Sequence, residues 1–215
     1  MRGFRKTRLL DMTDLSRKVV MQTCKGNLML NRLDLAFAAI DAANAADPTI
    51  ENGQPAALLY GLRMTAEVPH LFPDASDILQ IAARGQHIER WLLPRTDYPD
   101  GLPGYLDWRR EQARRHADRV GQIMLDAGYP QTDADRVGVL LRKEGIKRDA
   151  DVQALEDVIC FAFLRYYFAD FAVDKDPEHL LKIVEKTARK MSAIGRAKAL
   201  KEFGLPEPFA ALFCD

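Results

Sequence analysis

Four side chains able to carry protons or ligate a metal fall on the inward side of helical patterns: His87, His116 and the adjacent acids Glu156 and Asp157. The two histidines and the acidic pair come from three different stretches. Arg84, Arg109 and Lys143 fall nearby in the same patterns, with Arg109 two turns before His116 on one face. Two imidazoles and a carboxylate suit a divalent metal such as Mn2+, Fe2+, Ni2+ or Zn2+, with positions left for water and a substrate oxygen. The same groups also suit a closed network of imidazole, carboxylate and guanidinium that needs no metal, and no HxxxH, CxxC or HExxH spacing selects between the two. Other chemistries find less support. GxGxxG, GxxxxGK[ST] and GxSxG are absent, and the serines Ser16, Ser76 and Ser192 sit at termini or helix ends. Cys160 lies inside an apolar run, where burial raises a thiol pKa and makes a poor nucleophile.

The acidic pair stands where the most apolar stretch begins. From Val158 to Val173, 14 of 16 positions are apolar, interrupted by Arg165 and Asp170, and a segment without a polar face is buried on all sides. Asp149 is a good N-cap for it, so a central buried helix is expected at about 150–172. A carboxylate entering a core demands a cation, a donor or a metal, because leaving it unpaired costs several kcal/mol, roughly.

Amphipathic helices are expected around that centre. One carries Leu33, Phe37, Ile40 and Ala43 on a face; a second, opened by Pro55, carries Tyr60, Arg63, Met64 and Glu67 on one side. A third, capped by Asp74 and running to about 93, aligns Gln80, Arg84, His87 and Trp91 opposite Ile78, Ile81, Ala82, Gly85 and Ile88, so that side is either covered by another helix or lines a cleft. Residues 94–104, with three prolines and two glycines, read as a functional covering loop that holds Arg95 and Tyr98. The clearest helix follows, with Trp108, Gln112, His116, Ala117, Val120, Ile123 and Met124 inward. Thr132 with Asp135 is expected to cap a fifth helix ending at Gly145, and Asp176-Pro177 to open another after the central one. No alternating β-branched run occurs. The expectation is an all-α, single-domain multi-helix bundle over 30–215.

The chain has 215 residues, 47% apolar and 29% charged, with Lys plus Arg and Asp plus Glu equal at 31, so no global basic field argues for nucleic acid. Arg2, Arg5, Lys6, Arg8, Arg17, Lys18 and Lys25 against Asp11 and Asp14 make residues 1–28 basic, and the absence of a sustained period predicts a disordered extension there. Three widely spaced cysteines, Cys24, Cys160 and Cys214, suit a reducing compartment, hence a cytoplasmic protein, and no apolar run is long enough for a membrane span.

The set Arg84-Gly-Gln-His87-Ile-x-Arg90-Trp91, Pro94-Arg95, Tyr98-Pro99, Gly104-Tyr105-x-x-Trp108-Arg109, His116 and Asp151-x-Gln153-x-Leu155-Glu156-Asp157 resembles a family of bacterial and fungal proteins known as a domain of unknown function. The resemblance spans about residues 30–205. It implies no activity of its own; a glutamyl-tRNA synthetase label carried by some relatives has no HIGH signature here to answer it. More distantly, the chain is similar to HD-domain metal-dependent phosphohydrolases, all-helical proteins in which histidines and an aspartate from successive helices hold one or two metals. His87, His116 and Asp157 take those places, although the adjacent His-Asp pair is missing: Asp118, two residues after His116, points about 200° away from it.

That similarity implies hydrolysis of a small phosphorylated or nucleotide-like molecule. His87, His116 and Asp157 would hold a metal-bound water, and Glu156 would act as base or orient it. Arg84, Arg95 and Arg109 would grip the anion, with Tyr98 and Lys143 completing the binding set and Arg109 assisting catalysis. The competing expectation is a non-catalytic helical module that binds a small anionic ligand or a protein partner through the same residues.

Overall fold

Asp149 accepts hydrogen bonds from the backbone N–H groups of Asp151 and Val152, at 3.0 and 3.1 Å, and so starts the helix on which the others pack. The computed structural model describes residues 30–214, and the expectation for residues 1–28 lies outside them. In chain order the elements are α1 (Arg32–Asn44), a hairpin of β1 (Ile50–Glu51) and β2 (Gln54–Pro55), α2 (Ala56–Leu71), α3 (Asp77–Gly85), α4 (Gly101–Asp126), α5 (Gln131–Leu141), α6 (Ala150–Tyr166), α7 (Phe168–Ala172), α8 (Pro177–Lys190) and α9 (Ala193–Phe203). Short 3-10 turns lie at Arg90–Leu92, Arg95–Asp97 and Ala210–Phe213. From Arg32 on, the chain forms one compact unit, and the all-α expectation holds. Among the described residues no helix is long and apolar enough to cross a membrane.

Helix α6 is the hub. It packs against α2, α3, α5, α8 and α9, and Val152, Leu155, Val158, Phe161 and Ala162 are buried along it. Arg136 of α5 grips the Asp149 carboxylate through two nitrogens, at 2.6 and 2.8 Å, and reaches Asp151 at 2.7 Å, fixing the entry of the helix. The apolar run is not one helix, however. Tyr167 leaves helical geometry (φ −127°, ψ −24°), the Arg63 guanidinium lies over the rings of Tyr166 and Tyr167, and Val173 is 77% exposed. Burial on all sides therefore ends near Leu164, short of the expected 172.

Two boundaries differ from the sequence reading in ways that matter for the site. Helix α3 stops at Gly85 instead of continuing to about 93, and Ser76, not Asp74, caps it by accepting from Leu79 N at 3.2 Å. At Gly85 the α4 helix comes so close that an added Cβ would lie 2.5 Å from a Val120 methyl. Past it the chain turns, with Glu89 in the left-handed region at φ 50°. Helix α4 begins at Gly101, inside the expected loop. Gly104 in its first turn lies against the Pro99 carbonyl, where a Cβ would be 2.0 Å from the oxygen. The expected Thr132 cap is not used: α5 starts directly after Pro130, and it ends at Leu141.

Candidate functional site

The turn after α3 is held internally by i→i+3 bonds, Ile88 N to Gly85 O at 3.0 Å, Arg90 N to His87 O at 3.2 Å and Leu92 N to Glu89 O at 3.0 Å, and neighbouring helices strap it in place. Asn44 at the end of α1 accepts from Glu89 N at 3.1 Å. From α4, Gln112 donates to the carbonyls of Arg90 and Leu93 at 2.9 and 3.0 Å, and the Trp108 indole N–H donates to Leu93 O at 2.9 Å. Gln112 is buried because its amide is spent on these backbone acceptors. The strapped turn presents Gln86, His87, Arg90 and Trp91 to a cavity of about 790 Å3, whose other walls come from Tyr60 of α2, Glu156, Ile159 and Cys160 of α6, and Thr187 and Lys190 of α8. That size is ordinary for a small-molecule site.

Five cations line the cavity, Arg90, Arg95, Arg109, Lys143 and Lys190, against the carboxylates Asp47, Glu51 and Glu156. The carboxylates are all engaged. Asp47 accepts the backbone N–H groups of Thr49 and Ala57, both at 2.9 Å, and Glu51 pairs with Arg63. Glu156, 2% exposed, accepts from Lys143 Nζ at 2.5 Å, with Lys190 Nζ at 3.8 Å. Arg95 donates to the carbonyls of Tyr98 and Pro99 at 2.8 and 2.9 Å. Two guanidiniums remain. Arg90 lies over the Trp108 ring, 4.6 Å from its centroid, and Arg109 reaches the Tyr105 hydroxyl at 3.4 Å; neither has a carboxylate partner among the described residues. Burial lowers the Arg90 pKa, and the nearby Arg109 charge lowers it further against the opposing pull of Tyr60; guanidinium nevertheless stays charged.

His87 stacks on Tyr60, with centroids 3.9 Å apart and planes at 17°. Burial first, then the charges of Arg90, His116, Lys143 and Arg109, holds its pKa well below the ordinary histidine value. His116 stands behind it, ring centroids 6.3 Å apart, with its pKa lowered to about 3 by burial and by Arg90. Both rings are neutral at neutral pH. His116 Nε2 and Gln86 Oε1 are buried without a hydrogen-bond partner among the described residues. Cys160, as expected, is no nucleophile: burial, with Glu156 adding to it, pushes its thiol up to about 12.

The structure thus brings His87, Arg95, Arg109, Lys143 and Glu156 to one cavity, with His116 behind His87. It does not bring Asp157. That side chain, 1% exposed, accepts from Ser192 N at 2.7 Å, Ser192 Oγ at 2.5 Å and Gln153 Nε2 at 3.1 Å, and so ties α6 to the α8–α9 junction. Successive helical residues point about 100° apart, so Glu156 and Asp157 cannot both face the histidines. With the Asp157 oxygens committed and Glu156 held by Lys143, the set His87, His116 and Asp157 does not fit a metal. No group of three or more His, Cys, Asp or Glu among the described residues is arranged to hold one. The similarity to HD-domain proteins rested on that triad.

Three other expectations are corrected. Arg84 donates to both oxygens of Asp41, at 2.7 and 2.6 Å, and lies over Phe37, facing α1 and not the cavity. Tyr98 contributes a carbonyl to Arg95 while its ring stays out of the cavity wall. Glu156 is the counter-ion of Lys143 and Lys190, so a role as free base does not fit it. Two cavity residues carry no signal in the sequence as site residues: Arg90, although it stands beside Trp91, and Lys190, which reads as a solvated charge in the last turn of α8. Tyr60 looked like part of an amphipathic stripe, and nothing in its spacing announced the stack with His87.

Comparison with curated proteins and with solved structures gave no match. A family model described as Domain of unknown function (DUF4202) matches residues 34–213, a span that takes in the strapped turn and every wall of the cavity, and the chain belongs to that family.

Proposed function

We propose that this protein binds a small phosphorylated molecule in the cavity, with the phosphate held between Arg90 and Arg109. The observation that carries the reading is the pair of guanidiniums facing the cavity without a carboxylate, where every other lining charge is engaged. Like charges brought together in a partly desolvated wall repel, and an anion between them relieves the repulsion while accepting bidentate N–H donation. Charge-assisted hydrogen bonds of this kind contribute about 1.5–3 kcal/mol each, enough for one arginine to change affinity by about tenfold or more. Lys143 and Lys190 on Glu156 add positive potential to the same cavity. No divalent metal enters this reading.

A second reading, hydrolysis of the bound ester, draws on His87. A neutral imidazole in the cavity wall can accept a proton from water; burial first and then neighbouring charges hold its pKa down, and an anion at Arg90 and Arg109 would offset the charges. Thermal shifts with a panel of phosphorylated sugars and nucleotides, each beside its unphosphorylated parent, test the binding claim. Phosphate release measured with and without Mn2+, Ni2+ and Zn2+ tests the second. Stabilisation confined to phosphorylated compounds is expected; no shift across the panel overturns the reading.

A further inference from the structure

We infer that the phosphorylated ligand carries a planar ring that stacks on Trp91, which makes a nucleotide the class of ligand; the inference rests on the anion site proposed above. Six aromatic side chains line the cavity, and five of them are already engaged. Tyr60 is covered by the His87 ring, Trp108 by the Arg90 guanidinium and Tyr167 by that of Arg63. Phe163 meets the rings of Phe168 and Phe171, and Phe171 also faces the Lys175 ammonium. Trp91 has no ring, cation or hydrogen-bond partner among the described residues. It is half-buried, yet it sits in a turn whose carbonyls at Arg90 and Leu93 are clamped by Gln112 and Trp108. A rigidly mounted indole open to a cavity is a stacking platform, and a base has a π-face whatever its identity.

Arg90, the residue preceding Trp91, is one of the two lining guanidiniums with neither a carboxylate nor a carbonyl partner among the described residues, so stacking plane and phosphate cation share one turn. Gln86 from the same turn lines the cavity, and its amide oxygen, buried and without a partner among the described residues, becomes an acceptor for an amino group or ring N–H on a base edge once the amide turns toward the ligand. A bare phosphate or a triose phosphate would use the arginines and leave the indole, the amide and most of the roughly 790 Å3 without contact. A nucleoside monophosphate uses all three.

Both tryptophans of the chain, Trp91 and Trp108, line the cavity, so intrinsic fluorescence reports its occupancy directly. The full chain is titrated with AMP, GMP, CMP, UMP and ribose 5-phosphate, and the Trp91→Leu, Trp91→Phe and Arg109→Gln variants are titrated by calorimetry. The tightest nucleotide is expected to bind about tenfold or more tighter than ribose 5-phosphate. Trp91→Leu should bring the two to similar affinity, Trp91→Phe should keep most of the preference, and Arg109→Gln should weaken both alike. Ribose 5-phosphate binding as tightly as every nucleotide, or a nucleotide preference that survives Trp91→Leu, overturns the ring while leaving the anion site standing. If no phosphorylated compound binds, the anion site itself is overturned. Trp91→Phe, which keeps an aromatic plane, separates loss of stacking from loss of fold if the leucine variant is unstable.

Discussion

Asp157→Asn tests whether the most buried acid of the central helix is there for its charge or for its shape. The wild-type carboxylate has no ion-pair partner among the described residues; its bonds come from Ser192 N, Ser192 Oγ and Gln153 Nε2. An asparagine that keeps its oxygen at the Oδ1 position retains the bonds from Ser192 N and Gln153. Its amide nitrogen then faces Ser192 Oγ, whose O–H loses the carboxylate oxygen it donated to, so about one bond is lost, worth roughly 1–2 kcal/mol. Against that loss stands removal of a buried charge. Burial raises the Asp157 pKa, outweighing the donors from Ser192 and Gln153 that lower it. The net effect at pH 7 should fall within about 1 kcal/mol, a shift of roughly 2–4 °C for a chain of this length. Asp157→Ala strands three donors and should cost about 3–5 kcal/mol, on the order of 10 °C. The pH dependence fixes the sign. A carboxyl whose folded pKa is raised contributes stability that is present below its unfolded value near 3.9 and lost as pH rises through the folded pKa. Urea unfolding from pH 4 to 7 should therefore show wild type losing ground to Asp157→Asn as pH rises. Wild type gaining ground instead, or an asparagine variant at least 3 kcal/mol weaker at pH 7, would refute the argument that burial dominates.

The neutral histidines make an opposite prediction. Both have folded pKa values below the unfolded 6.5, so the unfolded chain binds more protons there and stability falls as pH drops below 6.5, by about 1.4 kcal/mol per pH unit for each histidine, until the folded pKa is reached, about 3 for His116. Denaturant titrations between pH 6.5 and 4.5 should show His116→Gln removing one histidine's share of that slope; an unchanged slope would place His116 in contact with water. Lys143→Met leaves the buried Glu156 with Lys190 alone, at 3.8 Å, and should cost about 3–5 kcal/mol by thermal unfolding. Adding Glu156→Leu should recover most of it. A double variant no more stable than Lys143→Met would show that the pair is not what holds the floor of the cavity.

The parts of this fold that depend on local pattern were legible in the sequence. An apolar run with no polar face announces a buried helix whatever packs on it, and α6 is the hub; Asp149 and Asp176 cap where side-chain chemistry says they should. The α4 stripe placed His116 and Gln112 inward, and both are buried. What was not legible depends on partners far away in sequence. The wheel that aligned Arg84, His87 and Trp91 assumed a helix continuing past Gly85. The chain turns there because Val120 of α4 crowds it and Asn44 of α1 receives Glu89, so Arg84 faces Asp41 while His87 faces the cavity. Glu156 and Asp157 illustrate the same limit: periodicity marks both as inward, but which of them meets Lys143 and which meets Ser192 depends on where α8 and α9 dock. Arg90 carries a charge that reads as solvated until its surroundings show no carboxylate to answer it.

The central claim is that Arg90 and Arg109 form an anion site and answer no carboxylate among the described residues. Calorimetric titration of ribose 5-phosphate into wild type, Arg90→Gln and Arg109→Gln, with the unfolding midpoint of each ligand-free protein recorded alongside, tests it most directly. The account predicts measurable binding to wild type, affinity weakened about tenfold or more in each variant, and an Arg109→Gln midpoint in the absence of ligand no lower than wild type, since no carboxylate loses a partner. Binding that is equal in all three proteins, or absent from wild type, would contradict it.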